Sequence, residues 1–109
     1  METSLKGTVV IILFPFSDLT GSKKRPALVI ADWGGDDVIL AQITSVAHKD
    51  RYAIHLKDKD FLIGGLKKES YIRPNKLFTA DKSTFIKNAG VLNPIKIEEI
   101  SNSVCKLFL

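Results

Sequence analysis

The chain has 109 residues, 45% of them hydrophobic, enough for one domain around a single modest core. Sixteen Lys and Arg against twelve Asp and Glu leave a net charge of +4, which favours an anionic partner. The one cysteine, Cys105, excludes an internal disulfide and a cysteine-based metal cluster and points to a reducing compartment.

The first apolar run, Thr8 to Phe14, is β-branched and aliphatic and predicts a strand. Val9 to Phe16 is too short to cross a bilayer and lacks the charged lead and cleavage site of a signal peptide, so a cytoplasmic protein with no membrane partner is expected. Phe14 and Phe16 flank Pro15, and core packing is expected for at least one of them. A polar loop with Gly21, Ser22, Lys23, Lys24 and Arg25 follows, and Ala27 to Ala31 predicts the second strand. An arginine at the base of that strand, beside the stiff Pro26, is a cation held by a rigid sheet. Its guanidinium can clamp phosphate oxygens at two points.

Trp33 to Asp37 reads as a turn, Val38 to Ile43 as the third strand, and Thr44 and Ser45 stand where that strand runs out. A threonine there ordinarily serves β propensity, but its hydroxyl can also donate to a phosphate oxygen or relay a proton. Tyr52 to Leu56 predicts a fourth strand, Leu62 to Leu66 a bend, and Ser70 to Leu77 a fifth strand. The first three strands are nearly continuous in apolar residues, as expected of strands covered on both faces or curled into a small barrel. Alternation along the fifth sets Arg73 and Asn75 on one side of the sheet.

The period then changes. Asn93 before Pro94 predicts a helix start, with Glu98 and Glu99 near the positive end of its dipole. Ile97, Ile100, Val104, Leu107 and Phe108 form one apolar face expected to pack on the sheet, with Cys105 a semi-buried thiol beside it. The fold class is mainly β with one helix (α+β), a single unit over residues 1–109 without repeat or linker. His48 and His55 invite an acid and base pairing, but one falls on a loop and the other in a strand, and their spacing gives no support. No His, Cys or carboxylate cluster has metal-ligand spacing, Asp81 and Lys82 read as a structural turn and ion pair, and Trp33 is assigned no role.

The stretches GTVVIILFPF, GSKKRPALVIA, DVILAQITS, GGLKKES, YIRPNKLFTADKS and GVLNPIKIEEI, in that order, resemble the PemK/MazF family of toxin endoribonucleases. The resemblance implies an SH3-like small barrel with a C-terminal helix, a homodimer, and cleavage of single-stranded RNA without metal or cofactor. In that chemistry the ribose 2′-hydroxyl attacks the adjacent phosphate, leaving a cyclic phosphate and a free 5′-hydroxyl. It implies Arg25 and Thr44 as the catalytic residues, with Ser45 as a substitute for Thr44, and Ser22 and Lys24 as phosphate contacts on a loop covering the RNA groove. With the positive charge, it also implies a short acidic antitoxin as partner.

Some members of the family carry an arginine and an aspartate two apart, the second serving as acid or base. Here those positions are Arg73 and Asn75, and Asn75 takes no proton at neutral pH, which removes the carboxylate mechanism. What remains is the version centred on Arg25 and Thr44, with Asn75 reading a base edge and Arg73 a substrate contact or structural. The general base stays open, since neither Arg25 nor Thr44 is a ready proton acceptor. Two further function classes fit the same barrel: a non-catalytic toxin that poisons a protein target, and a plain nucleic-acid-binding module.

Overall fold

A computed structural model describes residues 4–14, 23–46 and 50–109; Phe16, Gly21, Ser22 and His48 lie outside the described residues, as does the side chain of Phe14. Seven strands, β1 (Thr8–Phe14), β2 (Lys23–Asp32), β3 (Asp37–Thr44), β4 (Ile54–Leu56), β5 (Phe61–Gly64), β6 (Ser70–Asp81) and β7 (Phe85–Leu92), precede one helix, α1 (Pro94–Lys106). They pair antiparallel in the order β4-β6-β3-β2-β1-β7-β5, a curled sheet forming a partly open small barrel. The expected mainly-β fold with a C-terminal helix is the observed one.

The continuous apolar runs have the reason expected of them: the central strands are covered on both faces. On one face Val9, Leu28, Ala41, Ile43, Ile72 and Leu92 pack with Ile100 of α1. On the other, Val10, Ile12, Ala27, Val29, Val38 and Leu40 form a second cluster. Helix α1 starts as its sequence dictates, Asn93 Oδ1 accepting from the Lys96 amide at 2.8 Å with Pro94 in the first turn. Burying Ile100 contributes about 1.5–3 kcal/mol. Phe108 is 76% exposed and Cys105 is also exposed, so the apolar face ends at Leu107, where the helix stops. Glu98 and Glu99 fall beyond the first turn, out of reach of the strongest dipole field.

Other boundaries moved for tertiary reasons. β2 starts at Lys23, so Lys23 to Arg25 are strand rather than loop, paired with Phe14 to Ile12 of β1. β6 runs through Pro74 to Asp81 because a register shift against β3, from Gln42↔Arg73 to Ala41↔Leu77, lets the proline sit in a bulge. Where a bend was expected, Phe61–Gly64 is the edge strand β5, paired with β7, itself a strand the sequence pattern did not reveal. Gly64 (φ +74°) and Gly90 make this pairing possible: a Cβ on either would run into the opposing backbone, Ala89 O or Ile63 O. Among the described residues no helix is long and apolar enough to cross a membrane.

Candidate active site

The site begins with a ladder that stops. β1 and β2 stay paired down to Phe14↔Lys23, whereas pairing of β2 with β3 ends at Ala27↔Gln42. The Val29 carbonyl accepts from Gly7 on the β1 side, so alternation turns residues 26 and 28 toward β3. Residue 26 is proline, which has no N–H to give, and the two strands part at that point. Continuing the register by two residues sets Arg25 across from Thr44 over the gap.

A cleft of about 440 Å³ opens there. Its walls are residues 23–26 of β2, residues 43–46 at the end of β3, and Leu66, Lys67, Lys68 and Ser70 from the connection of β5 to β6. Among the described residues it gathers five cations, Lys23, Lys24, Arg25, Lys67 and Lys68, and no carboxylate lines it. Such a concavity focuses positive potential on one elongated slot, a form suited to a polyanion backbone. Arg25 is half-buried, its Nε withdrawn from solvent, while the four lysines are exposed and mobile point charges.

Thr44 is buried in the cleft wall and paired with Tyr71. Its Oγ1 accepts from the Val46 amide at 3.2 Å, which fixes the rotamer and leaves the O–H to donate. Ser45 beside it is exposed and also lines the cleft. Arg25, Lys24, Thr44 and Ser45, all proposed from sequence, are thus brought to one place.

Arg73 and Asn75 are not among the residues lining it. Arg73 is opposite Gln42, one rank along from Thr44, and its Nε donates to Asp50 at 3.1 Å, both side chains largely withdrawn from solvent. The Tyr52 amide above all, with Arg73 and Asn75, holds the Asp50 carboxyl below its usual range. A carboxylate therefore does stand beside this pair, but it comes from Asp50, which sequence reading did not single out. His55 is on β4, stacked on Tyr71 and bonded to Glu69. Among the described residues no three His, Cys, Asp or Glu side chains gather as a metal-ligand set.

Asp81 makes the expected turn by accepting from Ser83 N at 2.8 Å, but Lys82 pairs with Asp32 at 3.1 Å rather than with its neighbour. Lys67 and Lys68 were the functional candidates missed. A Lys-Lys pair straight after Gly64-Gly65 was the available signal, yet only the folded chain sets it opposite Arg25.

The family model of the PemK-like, MazF-like toxin of type II toxin-antitoxin systems matches residues 6–108. Among solved structures, MazF (Form-I) from Deinococcus radiodurans superposes with a TM-score of 0.74 at 15% identity, covering 99% of this chain and 98% of that one. An endoribonuclease in complex with its cognate antitoxin from a Mycobacterial species gives 0.72 at 15% identity, covering 99% and 95%. Mycobacterium tuberculosis toxin MazF-mt6 gives 0.71 at 16% identity, covering 93% and 95%. At these identities the structures speak for the fold. A comparison with curated proteins finds no match.

Proposed function

The chain belongs to the PemK-like, MazF-like toxins of type II toxin-antitoxin systems, and from that membership and the cleft we propose that it is an endoribonuclease that cuts single-stranded RNA without a metal. The observation that carries this reading is Arg25 facing Thr44 in a five-cation cleft lined by no carboxylate among the described residues. In the proposed step the ribose 2′-oxygen bonds to the adjacent phosphorus and the bond from phosphorus to the 5′-oxygen breaks. The 2′-proton leaves to water, and the departing 5′-oxygen gains one, giving a cyclic phosphate and a 5′-hydroxyl. Negative charge grows on the non-bridging oxygens, where a fixed guanidinium stabilises the transition state more than the ground state. The Thr44 O–H, already oriented by its bond from Val46, donates to the same oxygens. Lys24, Lys67 and Lys68 hold neighbouring phosphates, a contact that positions the strand without reading its sequence.

The partners follow from the same reading. The protein is a homodimer, and its antitoxin is an acidic segment that covers the cationic cleft, as suits a family of toxin and antitoxin pairs. Purified protein is incubated with long single-stranded RNA in EDTA, beside Arg25→Ala and Thr44→Val variants. Discrete fragments with 5′-hydroxyl ends are expected, with single-turnover cleavage about 10²–10³-fold slower when Arg25 is truncated. If folded wild-type protein leaves several RNAs intact, the non-catalytic toxin reading takes its place.

A further inference from the structure

Arg25 and Thr44 have company on their face of the sheet. The register carries the same rank across two more strands: Thr44 is opposite Tyr71 on β6, and Tyr71 is opposite His55 on β4. Cross-strand partners share a face, so Arg25, Thr44, Tyr71 and His55 form one transverse row. Alternation agrees, since Ile54 and Leu56, the neighbours of His55 on β4, turn the other way into the core under the helix.

The two rings at the end of the row stack, with centroids 4.9 Å apart and planes 16° from parallel. Glu69 accepts from His55 Nε2 at 3.0 Å, which fixes the imidazole in its own plane against the phenol. The His55 side chain is 36% exposed on the short strand β4 at the edge of the sheet. A flat, oriented and accessible ring in line with a phosphate-binding pair is a surface on which an unpaired base can lie.

We propose that His55, stacked on Tyr71, is a shelf for one unpaired nucleobase of the RNA whose phosphate sits between Arg25 and Thr44; the proposal rests on the endoribonuclease reading. Strand spacing of about 4.8 Å sets His55 about 10 Å from the Thr44 rank. Stacked nucleotides rise about 3.4 Å each, so the base on the shelf lies within about three nucleotides of the clamped phosphate. Stacking accepts any base, and a base already paired in a duplex cannot turn onto the shelf. The shelf therefore selects single-stranded substrate without choosing its sequence. A purely structural pair would stiffen the β4 edge and be indifferent to the ligand.

Binding to a 2′-O-methyl oligoribonucleotide, which cannot be cut, separates the two. Wild type, His55→Ala, His55→Gln, which keeps a donor for Glu69 without the ring, and His55→Phe, which keeps the ring, are titrated with the intact oligomer and with versions abasic at single positions. Loss of the ring is expected to weaken binding about 5- to 150-fold with the salt slope unchanged, and His55→Phe to retain it. With the base removed at one position, wild type and His55→Gln should bind alike. If His55→Ala and His55→Gln bind intact and abasic oligomers in the wild-type ratio, the shelf is overturned while cleavage by wild type keeps the nuclease reading. Wild-type protein that neither binds nor cuts RNA overturns both.

Discussion

The two walls of the cleft that carry cations, residues 23–25 and Lys67 with Lys68, imply a definite salt dependence. Each phosphate contact on a single strand contributes about 0.7 to the slope of log affinity against log salt, so the five cleft cations among the described residues set a ceiling of about 3.5 on their own share. Between 50 and 200 mM salt that ceiling corresponds to about a 130-fold loss of affinity. Replacing Lys67 and Lys68 together by alanine removes the wall supplied by the β5 to β6 connection and lowers the slope by about 1.4, so the loss falls to about 18-fold over the same range. The assay is fluorescence anisotropy of a labelled 2′-O-methyl oligoribonucleotide across that salt series. A control pair, Lys87→Ala with Lys106→Ala, removes two exposed lysines outside the cleft and should leave the slope unchanged. A wild-type slope in the Lys67 and Lys68 variant, or an equal drop in the control, would refute the argument that both walls grip the backbone.

Three other outcomes follow from the packing. Pro26→Val restores an N–H aimed at β3, so that amide should become protected from hydrogen exchange and cleavage should fall; full activity with a protected amide would contradict the parted-strand origin of the cleft. Gly90→Ala sets a methyl against the Ile63 carbonyl and the Phe61 ring, costing about 1–3 kcal/mol, a drop in Tm of about 5–20 °C, and an unchanged melt would disprove the close approach of β5 and β7. The Asp32 side chain, 2% exposed, accepts from the Leu5 and Gly34 amides and from Lys82, and the two amide bonds above all lower its pKa from 3.8. Because the folded value is the lower one, its contribution is fully present above pH 3.8 and is lost as pH falls through the folded value. Urea melts should accordingly find Asp32→Asn less stable than wild type at pH 7, with the gap narrowing as the pH is taken further below 3.8, and equal stability at pH 7 would contradict this.

The local features were readable from the chain because their causes are local. Apolar runs gave β1, β2 and β3, the Asn93-Pro94 pair gave the start of α1, and Arg25 and Thr44 emerged from the family pattern. β5 and β7 escaped because their pairing depends on Gly64 and Gly90 meeting face to face, and polar Lys87 and Asn88 break the apolar pattern of β7. Asp50 escaped because its partner Arg73 is 23 positions away.

What the sequence by itself determined is the inventory: a small cationic β domain of this toxin family, its apolar strands, its capped helix, and the guanidinium and hydroxyl that suit phosphate chemistry. The tertiary structure alone decided how they meet. Pro26 withholds one donor and parts β2 from β3, and a distant Lys-Lys pair closes the third side of the cleft. Register then lines His55 up with Thr44 through Tyr71. Periodicity and caps depend on neighbours a few residues apart, whereas strand register is set by burial and hydrogen bonding summed over the whole sheet.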